Sequence, residues 1–156
     1  MILERNPEVD YHLVDKVGAQ LGFEHRNYKG TFHLRDMNLM FDTTNIPEDF
    51  DLLIANDFLE HIQAPSRVIL DMRKVIKENG LAFISVPNWR NSHDFIYRGL
   101  FDYDNFVFMM QTHGFELEAA GDSVLKLPLT RKLDSEKTLP DELVNSWNWY
   151  LLFRKK

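Results

Sequence analysis

Two short apolar runs, separated by a segment with helical periodicity, form the clearest pattern in the chain. Residues Asp51 to Ala55 read DLLIA, and residues Leu81 to Val86 read LAFISV. Apolar runs of this length predict strands that are buried on both faces, as in the interior of a parallel sheet. Both segments are therefore predicted to be interior strands.

A helix is predicted between these two strands. Pro65 and Ser66 are typical of a helix start, and the pair Asn79-Gly80 is typical of a helix end. Apolar residues recur between them at helical spacing, at Val68, Ile69, Met72, Val75 and Ile76. The order strand, helix, strand predicts a right-handed unit with parallel strands.

Weaker patterns predict the remaining elements. Asn105 to His113 is a predicted helix, with Asp104 as its N-cap and Gly114 as its C-terminal stop. Alternating or β-rich segments predict further strands at Val9–Val14, Thr31–Arg35, Phe115–Ala120 and Trp147–Phe153. The expected fold is α/β, and the 156 residues are expected to form a single domain, 1–156.

Composition narrows the classes of protein to consider. The formal net charge of −6 argues against a large nucleic-acid interface, which requires a basic face. No cysteine is present, and no apolar run approaches the roughly 20 residues that span a bilayer. These features predict a cytoplasmic protein with no membrane or nucleic-acid partner.

Three segments in this order carry a resemblance to a known family. FDLLIANDFLEHI, RKVIKENG and LAFISVPN resemble the latter part of the class I S-adenosylmethionine-dependent methyltransferases, and the resemblance covers roughly Pro7 to Lys156. It implies a Rossmann-like fold, a mostly parallel sheet with an antiparallel C-terminal strand. It also implies S-adenosyl-L-methionine as cofactor and a small-molecule methyl acceptor.

One part of the family pattern is missing from the sequence. The family begins with a strand and a glycine-rich turn of the G-x-G type, whereas the seven glycines of this chain all stand singly. NPEVDYHLVD resembles the family's second strand, so we expect the first strand to be absent from this polypeptide. Three explanations remain open: a truncated chain, a homodimer or partner segment that completes the sheet, and a degenerate domain that no longer binds the cofactor.

The resemblance also assigns cofactor contacts. It places the ribose-binding acid at Asp15, the adenine contacts at Asp36 and Met37, and the contacts near the sulfonium at Asn56 and Asp57. In an open parallel sheet, ligands bind outside the carboxyl ends of the strands, where these residues are predicted to lie. An ordinary acid at a strand end is the alternative interpretation of each aspartate.

Asp57, Glu60 and His61 lie at helical spacing, which would place two carboxylates and an imidazole on one side of a helical turn. A divalent metal is one prediction for this group, with His93 as a fourth ligand. A second is that His61 acts as a general base. The alternative is a helix-capping pair without metal.

The aromatic segment after Asn88 is predicted to form a lid over the acceptor, with Trp89, His93 and Tyr97 lining the substrate pocket. Two functions follow from these features. The first is methyl transfer from S-adenosylmethionine to a small molecule, with this chain inactive if its sheet is incomplete. The second is a non-catalytic methyltransferase-like domain that serves as a binding or scaffold module.

Overall fold

The structure is a computed structural model, and it describes residues 9–15, 30–34, 46–88, 102–122 and 148–156. The chain divides into two compact units, Met1–Ile46 and Pro47–Lys156. The described strands form a two-stranded sheet in the first unit and a four-stranded sheet in the second.

The first unit contains two parallel strands, β1 (His12–Asp15) and β2 (Thr31–Leu34). Both predicted strands are confirmed, although β1 begins at His12 and not at Val9. The His12 Nδ1 and His33 Nε2 atoms lie 2.8 Å apart, and the two imidazole rings stack with their centroids 5.1 Å apart. This pair links the two strands through their side chains.

In its described residues, the second unit has four strands, two helices and a short 3₁₀ turn at Leu59–His61. In the sheet order β3-β4-β6-β5, β3 is parallel to β4, and β6 is antiparallel to both of its neighbours. The predicted parallel pair and antiparallel C-terminal strand are therefore confirmed. The elements are β3 (Phe50–Asn56), α1 (Pro65–Val75), β4 (Ile76–Pro87), α2 (Tyr103–Thr112), β5 (Phe115–Asp122) and β6 (Asn148–Lys155).

Helix α1 ends at Val75, about one turn before the end that the pair Asn79-Gly80 predicts. Ile76 adopts extended backbone angles and pairs with Phe50 of β3, so the chain leaves the helix after Val75. Asn79, with φ of +63°, and Gly80 lie within β4 where its pairing register with β3 shifts. A Cβ atom on Gly80 would lie 2.5 Å from Ile76 Cγ2, which explains why glycine is required there. The prediction that Asn79-Gly80 ends the helix is wrong, because strand pairing overrides the local preference.

Helix α2 also begins earlier than predicted. Its N-cap is Asp102, whose side chain accepts a hydrogen bond from the Asp104 backbone N–H at 3.2 Å. Asp104 lies in the first turn and is not the cap. Gly114, with φ of +84°, follows the helix and stops it as predicted.

The two faces of the four-stranded sheet differ in burial. Trp149, Leu151 and Phe153 of β6 are buried on one face, where Tyr103 of α2 meets Trp149 edge-on with ring centroids 5.6 Å apart. On the other face, Leu52 and Ile54 of β3 are 47% and 54% exposed. The prediction that β3 is buried on both faces is therefore wrong.

Candidate functional site

Polar side chains converge at one edge of the four-stranded sheet. Asp57 follows the carboxyl end of β3, Ser85 lies near the carboxyl end of β4, and Asn148 begins the antiparallel β6. Asp57 Oδ1 lies 2.8 Å from Ser85 Oγ and 3.2 Å from Asn148 Nδ2. Its Oδ2 accepts a hydrogen bond from Asn56 Nδ2 at 3.2 Å. We call these four residues the Asp57 cluster.

The backbone of Asp57 is held in an uncommon conformation. Its φ of +46° lies in the left-handed region, which costs a non-glycine residue about 1 kcal/mol. The Asp57 N–H donates to the Ser85 side-chain oxygen at 2.9 Å and to the Ser85 carbonyl at 3.2 Å. These bonds fix the turn, and backbone strain of this kind is often found at functional sites.

Ser85 is the buried centre of the cluster. Its hydroxyl lies 2.8 Å from Asp57 Oδ1 and 3.0 Å from Asn56 Oδ1, but its single hydrogen can be donated to only one of them at a time. Ser85 is fully buried, whereas Asp57 is exposed. The cluster therefore presents a carboxylate to solvent from a rigid support, an arrangement suited to a cationic ligand.

Sequence reasoning named Asn56 and Asp57 as candidate site residues but did not name Ser85 and Asn148, which the structure shows to be their hydrogen-bond partners. One signal for Ser85 was available, because it is the polar residue within the apolar run of β4. Asn148 had no local signal, since it is 91 residues away from Asp57 along the chain.

Glu60 is a buried acid beside this cluster. Its side chain is fully buried, and in the described part of the chain neither carboxylate oxygen has a hydrogen-bond partner. Burial raises the pKa of Glu60 above its ordinary value, and the charge of Asp57 adds to the effect, while His61 opposes it. Glu60 therefore holds a proton more tightly than an exposed glutamate.

His61 lies next to Glu60 but faces solvent. Its side chain is 47% exposed, and its Nε2 is 3.9 Å from Glu60 Oε1. An exposed imidazole can exchange protons with water, as the predicted general base requires.

The metal prediction has no support in the described residues. There, no three His, Cys, Asp or Glu side chains are grouped so as to hold a metal ion. The α-helical turn assumed for Asp57, Glu60 and His61 is instead a three-residue 3₁₀ turn that begins at Leu59. Asp57 precedes this turn and bonds to Ser85, Glu60 is buried, and His61 is exposed, so the three groups do not form a ligand set.

The described part of the structure includes only one of the other predicted site residues. Asp15 ends β1 as predicted, and it is exposed. Five lie outside the described residues, so their predicted roles stay predictions: Asp36, Met37, Trp89, His93 and Tyr97.

None of the helices in the described residues has both the length and the apolar character of a membrane-spanning segment.

Comparisons with known proteins identify the fold. No family model and no curated protein matches the chain. Among solved structures, a TehB-like S-adenosylmethionine-dependent methyltransferase from Corynebacterium glutamicum matches with a TM-score of 0.64 and 16% identity, over 94% of this chain and 68% of that one. A Methanosarcina mazei S-adenosylmethionine-dependent methyltransferase matches with a TM-score of 0.65 and 13% identity, over 99% and 86% of the two chains.

A third structure carries a different activity in its name. The [4+2]-cyclase SpnF matches with a TM-score of 0.66 and 12% identity, over 99% of this chain and 69% of that chain. At these identities the likeness concerns the fold alone. The chain has the Rossmann-like fold of the class I S-adenosylmethionine-dependent methyltransferases.

Proposed function

We propose that the chain is a methyltransferase domain that uses S-adenosyl-L-methionine and a small-molecule acceptor. The observation that carries this proposal is the Asp57 cluster, an exposed carboxylate fixed at the carboxyl ends of β3 and β4 in a methyltransferase-like fold. Ligands of open α/β sheets bind at this edge. The sulfonium of the cofactor is a cation, so a fixed carboxylate there lowers its electrostatic free energy.

The remaining contacts follow the resemblance of the sequence. Asn56 and Asp57 would face the sulfonium, and Asp15 would accept hydrogen bonds from the ribose hydroxyls. Asp36 and Met37 would contact adenine, and Trp89, His93 and Tyr97 would line the acceptor pocket. We assign the protein to the cytoplasm as part of the same proposal.

His61 would supply the proton chemistry. When bound, S-adenosylmethionine supplies an activated methyl group, so the protein mainly has to orient the acceptor and accept its proton. His61 takes the proton from the acceptor hydroxyl or amine and releases it to solvent, to which its side chain is 47% exposed. Glu60, fully buried beside it, stabilises the imidazolium when it is ionised.

Isothermal titration with S-adenosylmethionine and with its demethylated product tests the proposal. We expect weak, saturable binding, because the sequence has no G-x-G turn to bring the backbone close to the cofactor. Asp57→Asn should weaken binding of the sulfonium form by about fivefold, whereas binding of the uncharged thioether product should weaken less. Asp51→Asn is the matched control, because it removes the same charge from the other end of β3, where Asp51 pairs with Lys77.

Two results would overturn the proposal. One is an absence of any binding at cofactor concentrations of about 10 mM, which corresponds to less than about 3 kcal/mol of affinity. The other is an equal loss of S-adenosylmethionine binding in Asp51→Asn and Asp57→Asn. Equal losses would mean that only the net charge of the protein matters and that the cofactor does not contact the Asp57 cluster.

A non-catalytic binding or scaffold domain is the second candidate function. The absence of a G-x-G turn favours it, and the structural likeness to a protein named as a cyclase shows that this fold is not confined to proteins named as methyltransferases. Under this hypothesis, the cofactor neither binds nor protects the edge of the sheet around Asn56 and Asp57 from hydrogen exchange.

A further inference from the structure

No strand in the described part of the chain pairs with one edge of β3 at residues 52–55. β3 pairs with β4 in parallel from Phe50 to Asn56, and no described strand pairs with its other side. An unpaired strand edge presents backbone N–H and C=O groups that can pair with another strand.

The side chains along this edge are apolar and exposed. Leu52 and Ile54 point to the same face and are 47% and 54% exposed, and their register partners on β4, Leu81 and Phe83, are only half-buried. Natural edge strands are usually protected by lysine, proline or an inward charge. Residues 52–55 read LLIA and contain none of these. We call residues 52–55, with their outer backbone groups, the β3 edge.

Carboxylates lie at both ends of the β3 edge. Glu48 and Asp49 precede it and are exposed, and Asp51 is exposed although it pairs with Lys77. Asp57 follows it. The chain as a whole also carries a formal charge of −6. The edge is therefore an apolar strip between two acidic ends.

This charge pattern argues against a second copy of the chain as the occupant. In an antiparallel pairing of two β3 strands centred on Leu53, Asp49 of each copy would lie opposite Asp57 of the other. In a parallel pairing in register, Asp51 would lie beside Asp51 and Asp57 beside Asp57. Like charges directly opposite one another destabilise strand pairs.

We propose that the β3 edge is a docking surface for an extended apolar segment of another polypeptide, with lysine or arginine at both ends, that adds a strand to the sheet. Main-chain hydrogen bonds would supply much of the affinity, and alternate apolar side chains would cover Leu52 and Ile54. The basic ends would meet the exposed carboxylates of Glu48 and Asp49 at one end and of Asp57 at the other. The proposal shares Asp57 with the proposed cofactor site but does not depend on methyl transfer. Peptide binding is measured without cofactor, so the two proposals can fail separately.

Selection of displayed peptides tests the proposal directly. Random ten-residue peptides on phage are selected on the full chain, with counter-selection on Ile54→Lys, which places a charge in the middle of the edge. We expect enriched peptides with alternating apolar residues and basic ends. A synthetic copy of the best peptide should bind at least about tenfold more weakly to Ile54→Lys than to the native chain.

Control variants and peptides distinguish binding at the β3 edge from nonspecific binding. Leu70→Lys is the matched variant, because Leu70 is an apolar residue with a similar exposure, 48%, and it lies on α1 and not on β3. It should bind the peptide like the native chain. A peptide with a central proline, or with glutamates in place of the basic ends, should lose binding, and the intact peptide should protect the amides of residues 52–55 from hydrogen exchange.

The opposing results are equally specific. Enriched peptides that bind Ile54→Lys as well as the native chain, peptides with acidic ends, or protection confined to other segments would each overturn the proposal. Sedimentation that shows a dimer of the native chain and a monomer of Ile54→Lys would assign the edge to a second copy instead. Thermal unfolding of both lysine variants confirms that each is folded before binding is measured.

Discussion

The Ser85 hydroxyl lies 2.8 Å from Asp57 Oδ1, while the Asp57 backbone N–H donates back to Ser85 Oγ at 2.9 Å. This reciprocal pair joins the carboxyl ends of two parallel strands across 28 residues of sequence. It also holds a non-glycine residue in a left-handed turn. The geometry of the candidate site therefore depends on one buried hydroxyl.

Ser85→Ala should destabilise the protein. The variant removes the donor to Asp57 and one of the two acceptors for the Asp57 N–H, so we expect a loss of about 1–2 kcal/mol in the free energy of unfolding, measured by urea denaturation. Ser66→Ala is the control, since Ser66 is exposed at the start of α1. It should change the free energy by less than about 0.5 kcal/mol. Equal effects of the two substitutions would contradict the assigned role of Ser85.

Glu60→Gln should change how stability depends on pH. Because burial raises the pKa of Glu60 above 4.5, the folded state holds a proton that the unfolded state has released, so stability falls as pH rises from about 4.5 through the folded pKa. Glutamine does not titrate. The variant should therefore gain stability over the native chain as pH increases from 4 to 8, measured by denaturation at each pH.

Glu78→Gln is a control with the opposite sign. The hydrogen bond from Lys155 lowers the pKa of Glu78, so its contribution to stability is present above 4.5 and is lost as pH falls through the folded pKa. Its removal should cost stability near neutral pH and have little effect in acid. If both variants shift the pH profile in the same direction, the assignment of Glu60 as a buried acid fails.

Asp102→Ala should weaken helix α2 at its start. Asp102 caps the helix by accepting a hydrogen bond from the Asp104 N–H, and loss of an N-cap costs about 1 kcal/mol. Asp104→Ala is the comparison, because Asp104 provides only a charge in the first turn, worth about 0.5 kcal/mol. Thermal unfolding of the two variants separates the cap from the neighbouring acid. A larger effect at Asp104 would instead support the cap predicted from the sequence.

Gly114→Ala should destabilise the end of α2 for two reasons that can be separated. A residue with a side chain is strained at φ of +84°, and the new Cβ would lie 2.6 Å from Arg73 Nε. We expect a loss of about 1–2 kcal/mol, measured by urea denaturation. In an Arg73→Ala background the close contact disappears, so the remaining cost measures the backbone strain alone. An unchanged free energy of unfolding in the native background would show that the turn relaxes without cost.

Local sequence patterns determined much of the fold. Patterns of a few residues predicted several elements that the structure contains. They are the apolar runs of β3 and β4, the helical spacing of α1 and the glycine, Gly114, that follows α2. The family resemblance then supplied the order of parallel strands and the antiparallel C-terminal strand. Secondary-structure propensity and hydrophobic periodicity depend on residues that are close together in the chain, so both can be recognised from the sequence.

The errors of prediction occur where distant pairing competes with local preference. Ile76 fits the helical spacing of α1, but it pairs with Phe50, which lies 26 residues earlier, and the helix ends before it. Asp102 caps α2 although Asp104 has the same side chain, because only the packed helix fixes which N–H groups are left unpaired.

The sequence by itself determined the type and order of the described strands and helices, and that an aspartate follows β3. Only the tertiary structure decided that this aspartate meets Ser85 and Asn148, and that Leu52 and Ile54 are exposed. It also decided that the carboxylate of Glu60 is buried with no hydrogen-bond partner among the described residues. The physical reason is that hydrogen bonding between side chains and the burial of a side chain depend on what packs against them. Those neighbours come from segments as far as 91 residues away.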